Sequence, residues 1–415
     1  MKKETFMQKL KLISNNYNPN DDCATSIQVE RLLSNYKKHH ESVDNNDDAL
    51  IKKVKDSFPI ITNKNGEVRI LGLLQALNSV EQITNFKTDK KLKLSDLENI
   101  DFKLVPPSTH HEMYFNVAND SNYSTIYNAK NTFLDYYDLA KHANYLLKNG
   151  KNVNLLDDLN DLQSTDNLSS RDFTYRFIQS NGSNYLRAIV SKGRYKFYDN
   201  PIALYIAISV LSQYIKENNR DFICQKLTVT DSKLYAYFLE KEPLTIRNGI
   251  TIQTGLILSN SELGDGAASF NAYYVIRNSE NKKFVGLNSP IASINHGNNP
   301  IRIEKSFEQL NKFEKQRIDV IAAVEKVKFT KKLTRDDLSK VATLISRHMP
   351  MRQTEAKHVK DRWLTFVEAE TALKNTFSLM DLFDKLNSFL ENEDPDIQLI
   401  MESRISRLLK HFVEK

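Results

Sequence analysis

From Phe173 onward apolar and polar positions alternate with a period of two. Phe173, Tyr175 and Phe177 are interleaved with Thr174 and Arg176, and Tyr185-Leu186-Arg187-Ala188-Ile189-Val190 resumes the pattern after Asn181-Gly182-Ser183. Alternation interrupted by Asn-Gly predicts a β-hairpin closed by a tight turn. Asn200 followed by Pro201 predicts a helix start. Ile202 to Ile215 is apolar on most sides, so that helix is expected to lie under a sheet. Further strands are expected over 221–229, 234–240, 244–258 with a kink at Asn248-Gly249, and 270–276. Only turn residues separate them, which leaves no room for a helical crossover and predicts a largely antiparallel sheet. The predicted fold class is α+β, with a central antiparallel sheet and one packed helix.

Outside this stretch the period changes. Phe6, Leu10 and Ile13, then Ile27, Leu32 and Leu33, recur at helical spacing, so residues 1–57 are expected to form short helices with a solvated break at Asn45 to Asp48. Phe58 to Thr62 and Val68 to Leu71 flank Asn63-Lys64-Asn65-Gly66 like a hairpin, and a helix is expected over 73–86. Residues 87–100 read as a polar stretch, 111–117 as a strand, and 125–147 as one long helix stopped at Gly150. Beyond residue 304 Gly and Pro nearly vanish, and helical patterns cover 304–328, 334–347, 354–375, 378–391 and 395–413, with Thr334, Thr354 and Ser378 as N-caps. The expected divisions are a helical or mixed region 1–150, a linker or loop 151–170, an α+β core 171–301 and a helical C-terminal region 302–415.

Composition narrows the class. A chain of 415 residues, 40% hydrophobic with only 11 Gly and 10 Pro, can bury two or three cores and should be ordered almost throughout. No run of 18 apolar residues is present, and the start lacks the apolar stretch of a secretory signal, so a cytoplasmic protein without a membrane partner is expected. Cys23 and Cys224 stand far apart, which leaves neither a thiolate zinc site nor a disulfide framework.

The net charge of +6 is concentrated in the middle, where residues 171–301 carry 15 Lys and Arg against 10 Asp and Glu. Arg176, Arg187, Lys192, Arg194 and Lys196 are interleaved there with Tyr185, Tyr195, Phe197 and Tyr198. Cations that track phosphates, alternating with rings that stack on bases, make up the composition of a single-strand nucleic-acid surface. The same alternation also fits aromatics turned into a core with cations on the wet face, and both readings stand at the sequence level. Ser259-Asn260-Ser261-Glu262-Leu263-Gly264 interrupts two strong strand patterns. It reads either as a hairpin loop or as a ligand loop offering Ser259, Asn260, Glu262 and the backbone of Gly264.

Catalytic handles are missing. The adjacent pairs His39-His40 and His110-His111 point to opposite strand faces and suit the surface better than a shared ion, so no metal ligand and no cofactor is expected. The phosphate-binding, dinucleotide and nucleophile-elbow glycine motifs do not occur. Scattered Asp221, Asp231, Glu240 and Lys241 leave room only for an unpatterned metal-dependent nuclease.

Tyr185-Leu186-Arg187-Ala188-Ile189-Val190-Ser191 leading to Arg194-Tyr195 and Asp199-Asn200, then Gly255 to Gly264 with its Ser-Asn-Ser-Glu, then His296-Gly297-Asn298, resemble a family of uncharacterised phage- and plasmid-encoded proteins over about residues 171–300. The chain departs at Val275-Ile276-Arg277-Asn278-Ser279, where that family tends to have Val-Cys-x-Asn-Gly. The resemblance implies a mobile-element context and no reaction. The expected function is therefore binding of single-stranded DNA, extending to strand annealing, through Arg176, Arg187, Lys192, Arg194, Tyr195, Lys196 and Tyr198. Subunit contacts would fall to the C-terminal helices of a homo-oligomer. The alternative expectation is a structural or assembly protein of a virion, and a nuclease comes third.

Overall fold

The computed structural model describes residues 11–18, 20–40, 46–106, 110–117, 122–165, 171–191, 197–246, 249–264, 266–296, 311–334, 378–391 and 393–413, together with 337, 361, 362 and 365. The chain opens with β1 (Leu12–Asn16), β2 (Ala24–Thr25), α1 (Ser26–His40), α2 (Asn46–Ser57), β3 (Glu67–Val68), β4 (Ile70–Leu71) and α3 (Leu73–Thr84). It continues through β5 (Lys87–Leu92), β6 (Leu97–Leu104), β7 (His111–Val117), β8 (Asn122–Thr125), α4 (Ala129–Tyr136), α5 (Ala140–Lys148) and α6 (Asn152–Gln163). Next come β9 (Phe173–Ser180), β10 (Ser183–Val190), α7 (Asn200–Asn218), β11 (Phe222–Thr230), β12 (Lys233–Glu240) and β13 (Leu244–Thr245). The remainder is β14 (Thr251–Ser261), β15 (Ala268–Arg277), β16 (Lys283–Ile294), α8 (Asn311–Lys326), α9 (Leu379–Leu390) and α10 (Pro395–Val413).

The α+β class holds. One sheet runs β1-β11-β12-β14-β15-β16, with β13 beside β14 and β4 beside β11, and all its pairs are antiparallel except β4–β11. A second sheet runs β5-β9-β10-β8-β7-β6 and is antiparallel except at β8–β10. The β9–β10 hairpin turns at Asn181 (φ 52°) and Gly182 (φ 75°), the two positive-φ residues that a mirror-image two-residue turn demands. Helix α7 is buried on nearly every side in one core with Leu227, Ala236, Phe238, Leu256 and Phe270.

The boundary expected at residue 171 is not a structural boundary. β9 and β10 sit in the middle of a sheet whose other strands come from residues 87–125, and β1 and β4 join the sheet of the supposed core. The turn at 63–67 closes on Asn63 N donating to the Glu67 carbonyl, but the arms expected to flank it form no ladder with each other; β3 pairs with β2 and β4 with β11. The polar stretch 87–100 contains β5, and the helix expected over 125–147 is cut into α4 and α5 by Asp138 at φ 59°. The linker 151–170 contains α6, whose Leu155 and Leu159 are buried. Strand β16 escaped the pattern because Gly286, Asn288 and Pro290 interrupt it. Among the described residues it pairs on one side only, and its ladder shifts register opposite Asn271, where a proline is tolerated.

Helix α9 begins where the cap signal placed it. Ser378 Oγ accepts from Asp381 N at 3.1 Å, and the Asp381 carboxylate accepts from Ser378 N at 2.8 Å. Ser378→Ala is expected to cost about 1 kcal/mol, read as a lower urea midpoint at unchanged m-value. Of the other caps, Thr334 Oγ1 accepts from Asp337 N at 3.1 Å, while Thr354 and most of the expected helices 334–347 and 354–375 lie outside the described residues.

Candidate functional site

Two sheets and the start of α7 meet at a cluster of buried charge. Strand β5 contributes Lys87 and Asp89, β9 contributes Arg176, β10 contributes Arg187, and the turn between β11 and β12 contributes Asp231. Asp199 and Asn200 open α7, Asn260 lies one residue before the end of β14, and Glu262 follows its last residue, Ser261. Each of these residues is 5% exposed or less. Arg187 reaches the cluster because β10 is irregular at that residue: the register against β9 slips between Leu186 and Ala188. A bulge re-aims a side chain that strict alternation would place elsewhere.

Glu262 is the hub. Its Oε2 accepts from Lys87 Nζ at 2.7 Å and Arg187 Nη1 at 2.6 Å, and its Oε1 accepts from Asn200 N at 2.9 Å. The last bond sets a carboxylate on the first free amides of α7, where the helix dipole favours negative charge. Arg176 bridges the two sides of the cluster, pairing with Asp199 through Nη2 and with Asp89 Oδ2 at 3.0 Å through Nε, and donating from Nη1 to the Glu262 carbonyl at 2.9 Å. Arg187 also donates to the Asp231 carbonyl at 2.8 Å, and Tyr127 OH donates to Asp231 Oδ2 at 2.6 Å. Asn260 Nδ2 donates to the Tyr198 carbonyl at 3.1 Å and to Asn200 Oδ1 at 2.9 Å.

Three cations thus face four carboxylates out of water. Burial alone would raise the Glu262 carboxyl, but Lys87, Arg187 and Arg176 outweigh burial and Asp199, and hold it below the ordinary glutamate value. For Asp231 burial wins over the Tyr127 hydrogen bond and Arg187, and its carboxyl is pushed up. Burial lowers Lys87 despite Glu262. Desolvating so many charges costs more than packing apolar residues of the same volume, so the cluster fixes geometry rather than adding stability.

Of the residues marked out by sequence, Arg176, Arg187, Tyr198, Asn260 and Glu262 come together here. The expectation of a surface for Arg176, Arg187 and Tyr198 is corrected: Arg176 and Tyr198 are 0% exposed and Arg187 1%, with both guanidiniums paired to carboxylates. The ligand loop is corrected too. Asn260 and Glu262 are buried in the cluster, Ser259 is a half-buried ladder residue of β14 opposite Tyr235, and Gly264 is exposed at φ 80°. Lys192, Arg194, Tyr195 and Lys196 lie outside the described residues.

The scattered acids do not converge. Asp221 pairs with Arg69 at 2.5 Å and Glu240 with Arg220 at 2.9 Å, both at one end of the β11–β12 hairpin. Asp231 sits in the turn at the other end, nine residues from Glu240 and ten from Asp221, or roughly 30 Å at about 3.3 Å per residue. Among the described residues no three His, Cys, Asp or Glu side chains gather as a metal site. His110 is exposed and His111 half-buried.

Of the residues in the resembling segments, Arg187, Asp199, Asn200, Asn260 and Glu262 belong to the cluster, whereas Arg194, Tyr195, Gly297 and Asn298 lie outside the described residues. His296 is buried with its ring 6.3 Å from that of Tyr198. No family model, curated protein or solved structure matches the chain. Lys87, Asp89 and Tyr127 were not marked out by sequence. The only signal for the first two is their i, i+2 spacing, which reads as solvated unless a buried partner is known to face it.

Proposed function

We propose that the protein binds single-stranded DNA in a phage or other mobile element, with residues 192–196 as the contact segment and the buried cluster as its frame. The observation that carries this reading is where the cluster takes hold of the chain. On one side Arg187 is locked to Glu262 on the strand that ends at Val190. On the other, Phe197 lies under the Arg176 guanidinium at 5.2 Å, the Tyr198 carbonyl is held by Asn260, and Asp199 pairs with Arg176. Between these anchors runs Lys192-Gly193-Arg194-Tyr195-Lys196, three cations and a tyrosine with no acid among them. Internal pairing consumes the charges of the frame, so phosphate neutralisation falls to the segment, and fixed ends reduce the ordering cost of binding.

No host compartment follows from the fold. Among the described residues no helix is long and apolar enough to cross a membrane. Fluorescence anisotropy of an unstructured oligothymidine titrated with the full chain is expected to show binding that tightens steeply as salt is lowered. Affinity no tighter than millimolar at low salt would remove the proposal.

A further inference from the structure

Helix α10 buries three polar residues at i, i+4 and i+8, Gln398, Glu402 and Ser406, which share one face of the helix. The outer two are satisfied. Gln398 Nε2 donates to the carbonyls of Leu390 at 2.8 Å and Glu393 at 3.0 Å, which ties α10 to the end of α9. Ser406 Oγ accepts from Leu287 N on β16 at 2.6 Å and donates to the Glu402 carbonyl at 3.0 Å. The middle residue has no such support. Among the described residues the Glu402 side chain makes no ion pair, and its Oε2 is buried without a hydrogen-bond partner.

The titratable groups that face Glu402 are Lys226 on β11, Tyr237 on β12, Tyr273 on β15 and Lys283 on β16, with Glu391 at the end of α9 beyond the lysines. Both lysines are engaged elsewhere. Lys226 Nζ lies 5.7 Å from the Tyr237 ring centre, and Lys283 Nζ pairs with Glu391. The two tyrosines stay neutral because burial pushes their hydroxyls up, and their rings meet at 5.4 Å in an apolar layer with Ile257 and Val275. An ionised carboxylate needs water, a cation or N–H donors close by, and Oε2 touches none of them. Burial accordingly pushes the Glu402 carboxyl up to about 8, against the weaker pull of Lys226 and then Lys283.

We propose that Glu402 is a neutral carboxylic acid in the folded protein and that its proton belongs to the contact between α10 and the sheet, which makes this contact a pH-sensitive element of the fold. As a neutral acid the side chain packs beside the rings as a glutamine would. As an anion it brings an uncompensated charge into the same space. The helix stays in place in either state, because Met401, Ile405, Leu408 and Leu409 hold it in an apolar core with Phe284 and Phe383. What changes with pH is how firmly it is held. The direction is opposite to that of a carboxyl held low by cations, as Glu262 is. Between the ordinary glutamate value and the raised one, the folded chain keeps a proton that the unfolded chain has lost. The contribution of Glu402 is therefore fully present below the ordinary glutamate range and is lost as the pH rises toward about 8.

The test compares the full wild-type chain with Glu402→Gln, which keeps the shape of the side chain and removes its titration. Urea unfolding is followed at intervals from about pH 5 to about pH 9. Relative to the variant, the wild-type unfolding constant is expected to rise by up to about ten-fold per pH unit until about pH 8 and to level off above it, the slope of one proton. Hydrogen exchange of the α10 amides, corrected for the intrinsic rate at each pH, is expected to lose protection over the same range in wild type and to keep it in the variant. The infrared spectrum of wild type at neutral pH is expected to show the carbonyl stretch of a protonated carboxylic acid, and the variant to lack that contribution. Parallel pH profiles of stability in the two proteins would overturn the proposal, and so would a protonated-acid band of equal strength in both.

Discussion

Glu262→Ala is expected to lower the stability of the folded protein by about 3–5 kcal/mol, the cost of removing one partner from a buried ion pair. The alanine leaves Lys87 Nζ and Arg187 Nη1 buried without their shared acceptor and strips the carboxylate from the first amide of α7. Equilibrium urea unfolding followed by far-UV circular dichroism measures it; a change under about 1 kcal/mol would mean that the cluster is neither dry nor mutually satisfied. The pH dependence has a definite sign. A carboxyl held below its ordinary value in the folded state contributes stability that is present above the ordinary glutamate range and lost as the pH falls through the depressed value. Glu262→Gln removes that contribution, so the stability of the variant should fall less steeply than that of wild type on acidification.

Gly255→Ala is expected to be at least as damaging, for a different reason. Gly255 sits in β14 between Leu239 of β12 and Tyr273 of β15. A Cβ there would lie 1.9 Å from the Phe238 carbonyl oxygen and 2.9 Å from Leu239 Cα. The obstructing atoms are backbone of a central strand, so no rotamer relieves the clash and the two strands must separate. The expected loss is about 3 kcal/mol or more, above the roughly 1–3 kcal/mol of side-chain overpacking. A thermal melt within a few degrees of wild type would show that β12 and β14 are not paired in this register.

The parts of the fold that were legible in sequence are those in which local and tertiary signals agree. The Asn181-Gly182 turn, the Pro201 helix start and the Ser378 cap each rest on backbone chemistry that few other conformations satisfy. Illegible were the elements that borrow their partners from far along the chain. β5 is charged on the side that is buried, because Lys87 and Asp89 face Arg176, Arg187 and Glu262 from other strands, and no local window contains those counter-charges. β4 is two residues long and exists only as a parallel rung on β11. The same physics misplaced Arg176 and Arg187. An arginine on a strand reads as the wet face, and only the fold reveals that Asp89, Asp199 and Glu262 line up opposite. Arg187, Asp199, Asn200, Asn260 and Glu262 are far apart in sequence, and only the topology gathers them into one cluster.

The claim at the centre is that this cluster frames residues 192–196 as the contact for a nucleic-acid strand. Its most direct measurement is the salt dependence of oligothymidine affinity for wild type and for Arg194→Ala with Lys196→Ala. The account predicts weaker binding by the variant at every salt concentration and a log–log slope shallower by about 1.4, the release expected for two lost phosphate contacts on a single strand. An unchanged affinity with an unchanged slope would contradict it.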